Sequence, residues 1–253
     1  MDETTTGAPL RDEKSDAKFI EWSAGTTTAS FDVVALAARI GGMPLRPVRV
    51  LDIGGGIGAF AVALVEACPG RDVHVTVLDP SVSAVPHRRA HPRVDYVTGT
   101  IDAHLPDGPF DMVVLRTVVH HFVARRLAAT DRAQVDALSR VRGLLGPGGT
   151  ACVVENLYES MIGADTTGRL IFRVTANRLV ALPARLLGAN TAGEGVRFRS
   201  RASWLEVYRR AGLELIEETV RPRWGANMPA WQRWPLLCRS RRQVLHVLGV
   251  RTL

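Results

Sequence analysis

The stretch Val50 to Phe60, VLDIGGGIGAF, constrains this chain more than any other. An apolar run carrying one acid, Asp52, enters Gly54, Gly55 and Gly56, and a fourth glycine follows at Gly58. Four glycines in the five positions from 54 to 58 forfeit backbone entropy that an ordinary turn has no reason to lose. The return is a backbone free to take positive φ and to approach another group with no Cβ in the way. The pattern therefore describes a buried strand that turns sharply against a ligand and enters a helix. Local spacing leaves two ligand classes open. Gly54, Gly56 and Ala59 fit the G-x-G-x-x-G/A fingerprint of dinucleotide binding, while Asp52, Gly54, Gly56 and Gly58 equally fit D-x-G-x-G-x-G.

The segments that follow repeat one theme. RVLDIG (Arg49 to Gly54) reads as a buried parallel strand, and AFAVALVEACPG as a helix with a Pro-Gly stop. VHVTVLDP, RVDYVTGTI and FDMVVLRTVVHHF read as the second, third and fourth strands. ATDRAQVDALSRVRGLLGPGG has the apolar spacing of an amphipathic helix, and TACVVEN reads as a fifth strand. A helical insertion, TTGRLIFRVTANRLVALPARLLG, interrupts the alternation and is broken at Pro183. SRASWLEVYRRAG is a helix with Ser200 at the N-cap and Gly212 just past the end, followed by a sixth strand, LELIEETVRP, and a seventh, QVLHVLGVR. Strands alternating with helices predict an α/β fold whose parallel sheet is covered on both faces, with ligands at the carboxyl ends of its strands.

Composition narrows the classes. No apolar run approaches the roughly 18 residues of a membrane span, and the polar start MDETTTGAPLRDEKSDAK lacks a signal-peptide layout. We expect a cytoplasmic protein with a disordered tail over 1–18 and one domain over 19–253. The net charge of +7 is carried almost entirely by scattered arginines, with lysine only at Lys14 and Lys18, so neither nucleic acid nor membrane is an expected partner. Cys68, Cys152 and Cys238 form no paired motif and read as buried thiols. The seven histidines are spread out, so no metal site is expected.

Taken in order, these segments resemble the class I S-adenosylmethionine (SAM)-dependent methyltransferases, particularly the small-molecule, type 11/12-like members. The resemblance covers roughly Phe31 to Leu253. It implies a Rossmann-like, seven-stranded, mostly parallel sheet with an antiparallel last strand, helices on both faces and a helical cap inserted after strand five. It implies SAM as cofactor and S-adenosylhomocysteine (SAH) as product. Asp52, Gly54, Gly56 and Gly58 match the family's first motif, where the glycines let the backbone approach the methionine portion. Asp79, ending strand two beside Pro80, matches the ribose-binding acid, whose carboxylate can accept both hydroxyls. Asp102, in GTIDAHLP, matches the acid that accepts the adenine amino group, with Ile101 and Pro80 offering apolar faces to the ring. Asp52 is expected to accept bonds from the loop amides or, through water, from the cofactor. Arg116 is placed with the cofactor residues; a salt bridge to Asp111 or Glu155 is its alternative use. Asp102 could likewise serve only as an acid at a helix start.

Methyl transfer from a sulfonium is an in-line displacement, so the protein must chiefly hold the acceptor near the methyl carbon. A base is needed where the acceptor must lose a proton, and His120 and His121, just after strand four, are the candidates. Helix capping or packing is their alternative role. Glu155 and Asn156 end strand five at the same rim. Substrate selection is assigned to additions around the sheet: the cap over 157–197 and a Trp-rich lid over 223–242. Trp22, Tyr158, Trp224, Trp231 and Trp234 are the candidate acceptor-binding residues, suited to a hydrophobic or aromatic small molecule. The same residues would equally serve a homodimer interface. The expected function is methylation of a small molecule in natural-product tailoring, with O-methylation favoured. A SAM-binding enzyme that rearranges or cyclises its substrate, and an NAD-dependent oxidoreductase, are the alternatives.

Overall fold

The computed structural model describes residues 25–177, 195–223 and 228–251. The expected tail, Trp22, Trp224 and the helix break at Pro183 lie outside the described residues. Contacts gather the described residues into two compact units, one comprising 25–116 with 140–153, the other 117–139 with the described residues from 154 onward. We call them the glycine-loop unit and the histidine unit.

In the glycine-loop unit, helix α1 (Phe31–Gly41) precedes β1 (Val48–Ile53), which enters the glycine turn and then α2 (Ala59–Glu66). Helix α2 buries every residue from Ala59 to Val65, because its alternating alanines let the helix lie close to its neighbours on all sides. Strands β2 (Val73–Asp79), β3 (Val94–Thr98) and β4 (Phe110–Arg116) complete the parallel part. β1 pairs in parallel with β2 on one side and β4 on the other, and β2 pairs with β3. The apolar run of β4, Met112 to Leu115, is wholly buried, as expected of a strand covered on both faces.

The expected fourth strand is shorter than its apolar pattern. It stops at Arg116, Thr117 takes a positive φ of 52°, and Val119–His121 forms a 3-10 turn instead of continuing the ladder. Helix α3 (Leu127–Leu144) follows, and β5 (Leu145–Ser160) runs longer at both ends than TACVVEN suggested. The Gly-Pro-Gly-Gly run therefore belongs to the strand's start, and 157–160, assigned to the cap, belongs to its end.

In the histidine unit, α4 (Thr166–Ala176) is the described part of the insertion. Helix α5 (Arg201–Arg210) begins where expected: Ser200 Oγ accepts from the Ser203 amide, and Gly212 takes a φ of +75° past the far end. Strand β6 (Leu213–Val220), the short helix α6 (Ala230–Arg233) and β7 (Cys238–Val250) close the chain. β7 runs antiparallel to β6 and begins five residues before the expected strand, absorbing the end of the expected lid. The seven-stranded sheet has the order β3-β2-β1-β4-β5-β7-β6. β7 enters between β5 and β6, and the mostly parallel sheet with its antiparallel last strand is as expected.

Candidate active site

The glycine turn is built as its composition predicts. Gly54, Gly56 and Gly58 take φ values of 75°, 56° and 75°, in the region where an L side chain is strained. A Cβ at Gly58 would overlap the hydroxyl of Tyr96, which donates within reach of the carbonyls of Arg89 at 2.8 Å and Ile57 at 3.2 Å. A Cβ at Gly55 would overlap the carboxylate of Asp52. The glycines thus seat the loop against its own unit as well as exposing its backbone.

Three acids gather at this turn. Asp79 is buried; its Oδ2 accepts from the Gly56 amide at 2.9 Å and its Oδ1 from the Ser81 amide at 2.8 Å. The loop amide expected to reach Asp52 goes to Asp79 instead. Asp52 is fully buried, and neither of its oxygens has a hydrogen-bond partner among the described residues. Burial pushes its carboxyl up to about 7, opposed by Arg116 and reinforced by Asp79 and Asp32. Arg116 pairs with Asp32, Nε to Oδ2 at 2.6 Å, and lies over the Phe60 ring. Neither expected salt-bridge partner holds Arg116: Asp111 pairs with Arg46 and Glu155 meets His120. Ile101 is buried and Pro80 exposed, while Asp102 lies exposed in a turn, 3.4 Å from the Arg140 guanidinium. No helix starts at Asp102, which removes the helix-start alternative.

This acid-rich, Cβ-poor turn fits a ligand with positive charge on a slender chain and a vicinal diol nearby. SAM has both, with a sulfonium and an ammonium on its methionine portion. The orphaned oxygens of Asp52 offer acceptors that nothing in the loop uses.

The histidine unit contains a second constellation. His120 sits in the 3-10 turn after β4 and is 5% exposed. Its Nδ1 lies 2.7 Å from Oε2 of Glu155, which is fully buried, and its backbone N–H donates to Oε1 of the same carboxylate at 3.2 Å. An ionised carboxylate only accepts, so it holds the proton on Nδ1 and leaves the lone pair on Nε2. The imidazole is packed between the His121 ring, at 4.2 Å between centroids, and Phe198 at 4.5 Å. His121 is half-buried, with its ring tilted 39° to that of His120. Asn156 accepts from Gln243 at 3.1 Å.

Of the expected acceptor-binding residues, Tyr158 is buried with Ile171, Val196 and Cys238, and its ring lies 4.8 Å from Phe198. Burial raises its hydroxyl above the ordinary range. Trp231 and Trp234 stand on and just after α6 and are exposed. Sequence reasoning missed Phe198, Asp32 and the buried arginines Arg197 and Arg199. The one available signal for the arginines and Phe198 was the compact RFR triplet at 197–199. Among the described residues, no cluster of three or more His, Cys, Asp or Glu could hold a metal ion, and no helix is long and apolar enough to cross a membrane.

A family model described as a methyltransferase domain matches residues 51–151, from β1 into β5. Over 143 residues the chain is 36% identical to acetylserotonin O-methyltransferase of Mus musculus, covering 52% of this chain and 34% of that protein. It is 32% identical over 161 residues to the ubiquinone/menaquinone biosynthesis C-methyltransferase UbiE of Methylobacterium nodulans, covering 61% of this chain and 57% of that one. The chain thus spans between about a third and just over half of these relatives' lengths. In fold it is similar to 1,6-didemethyltoxoflavin-N1-methyltransferase of Burkholderia thailandensis, solved with SAH, at a TM-score of 0.60 and 18% identity over 94% of this chain and 85% of that one. The methyltransferase-domain match spans the glycine turn that fitted two cofactors locally, so that turn is of the SAM type and residues 51–151 are similar to the methyltransferase domain of SAM-dependent enzymes.

Proposed function

We propose that this protein transfers a methyl group from SAM to a hydroxyl of a small, hydrophobic or aromatic acceptor, in the tailoring of a natural product. The observation that carries the reading is the buried His120–Glu155 pair, at 2.7 Å, in a turn four residues past the end of β4. A methyltransferase needs such a pair where the acceptor must surrender a proton. When bound, the cofactor supplies an electrophilic methyl group that needs no further activation.

The chain's residues then divide the work. Gly54, Gly56 and Gly58 admit the methionine portion, Asp52 balances its positive charge, Asp79 accepts the ribose hydroxyls, and Asp102 takes the adenine amino group beside Ile101 and Pro80. Arg116 holds Asp32 in the acid cluster around the methionine portion. Glu155 orients His120, whose Nε2 removes the hydroxyl proton as the oxygen attacks. His121 packs the imidazole. Tyr158, with Trp22, Trp224, Trp231 and Trp234, selects a flat apolar acceptor.

The relatives methylate oxygen, carbon and nitrogen by name, so the chemistry of the pair favours oxygen, not their number. The test is the mass of products formed from SAM and a panel of phenols, hydroxyquinones, amines and stabilised carbanions. A phenol or hydroxyquinone gaining one methyl, with turnover falling about 10²–10⁴-fold in His120→Ala, supports the reading. Methylation of amines alone, or a His120→Ala loss of tenfold or less, would overturn the base. A product of unchanged mass but altered structure would show that SAM serves a rearrangement instead.

A further inference from the structure

Arg197 and Arg199 are 1% and 4% exposed, a costly place for two guanidinium groups unless their donors are engaged. Arg197 donates to the Phe198 carbonyl at 2.8 Å, to Asp131 at 3.3 Å and to Asp165. Arg199 donates to Asp131 at 2.6 Å, to Ser203 at 2.9 Å and, through Nε, to Oε1 of Gln134 at 2.7 Å. Gln134, on α3, is 0% exposed and joins this network to the histidine turn. With Oε1 committed to Arg199, its Nε2 faces the carbonyls of Val119 at 3.0 Å and Arg197 at 3.2 Å. The orientation of the amide is thus dictated by its partners: a donor on one side, two acceptors on the other.

Val119 is the residue before His120 in the 3-10 turn, and the Arg197 amide donates back to the His120 carbonyl at 2.9 Å. The next residue, Phe198, carries the ring against the imidazole. One side-chain amide therefore fastens the peptide entering His120 to the segment that both binds His120's carbonyl and packs its ring.

We infer that Gln134 is a positioning residue for His120, setting the turn so that Nδ1 meets Glu155 and Nε2 is left to accept a proton. This rests on the reading of His120 as the base. A purely space-filling Gln134 would be replaceable by a side chain of similar volume with no effect on the imidazole, since none of its three bonds touches the ring.

The test reads the ring directly. Proton–nitrogen correlation spectra of histidine-labelled full-length protein are recorded at about pH 8, where an ordinary imidazole is neutral. The wild type shows His120 with a protonated Nδ1 and a lone pair on Nε2. Gln134→Glu keeps the size but opposes two carbonyls with an acceptor; Gln134→Met removes all three bonds. In both, the two His120 nitrogens converge towards the averaged values of mixed tautomers, while SAH affinity by titration calorimetry stays within about twofold. A His120 signature unchanged in either folded variant would overturn the inference. If a variant fails to melt cooperatively, Arg199→Lys carries the same test, keeping the charge but losing the bond that orients the amide. The spectra need no acceptor, so their outcome stays separate from the turnover of His120→Ala.

Discussion

The molecule buries charge in two places and treats it in opposite ways. In the histidine unit, Arg197 and Arg199 are enclosed by Asp131, Asp165, Gln134 and Ser203, and their bonds leave the network closed on itself. In the glycine-loop unit, Asp52 is fully buried with neither oxygen bonded, beside Asp79 and Asp32, and Arg116 is committed to Asp32. Satisfied buried charge holds a backbone in place; unsatisfied buried charge costs stability and is kept where a ligand gains from it. The first cluster positions the chain and the second is shaped for chemistry outside it.

The comparison is broken most severely in the closed network. Arg197→Met should destabilise the protein by about 3–5 kcal/mol, since the buried Asp165 would lose its guanidinium partner, while Asp131 keeps Arg199. Denaturant melts measure this, and a loss under about 1 kcal/mol would show that the network relaxes into water.

The opposite sign is expected for Asp52→Asn. The folded carboxyl titrates at about 7 against 3.8 when unfolded, so the native state binds the extra proton between these values. Asp52's own contribution is undiminished below about pH 4, falls as pH rises towards 7 and is level beyond, whereas the amide that replaces it adds no such dependence. The variant's advantage should therefore grow from near zero at about pH 4 to roughly 4 kcal/mol by about pH 8. A difference that does not change with pH would mean Asp52 finds partners in solution. SAM affinity should fall in the same variant, separating its cost to the fold from its use.

Asp79→Ala sharpens the contrast from the ligand's side. It should weaken SAM binding by about 1.5–3 kcal/mol through loss of charged hydrogen bonds and of the brace on the Gly56 amide. Titration calorimetry decides, and unchanged affinity would exclude Asp79 as the ribose ligand. The smallest effect is local: Ser200→Ala removes the cap of α5 and should cost about 1 kcal/mol in thermal melts with SAM affinity unchanged.

Much of this was legible in residue order. The turn at Gly54 to Gly58, the strands ending at Ile53 and Asp79, and the capped helix from Ser200 follow from rules acting within a few residues. The length of β4 was not: Val118 and Val119 continue its apolar pattern, but the chain turns at Thr117 because His120 and its neighbours bond to Glu155 and to the 197–199 segment. Asp102 shows the same limit, because its surface partner, Arg140, comes from α3.

The sequence by itself determined the alternating α/β order, the place of the ligand turn and the candidacy of His120, since each depends on local backbone freedom, hydrophobic period or residue chemistry. Only the tertiary structure decided which partner each charged group takes. Arg116 chose Asp32, 84 residues away; Gly56 chose Asp79; His120 chose Glu155; and Gln134 joined Arg199 to the histidine turn. Such pairings are set by where the sheet and helices bring distant segments together, and hydrogen bonds, acting over about 3 Å, are blind to any distance measured along the chain.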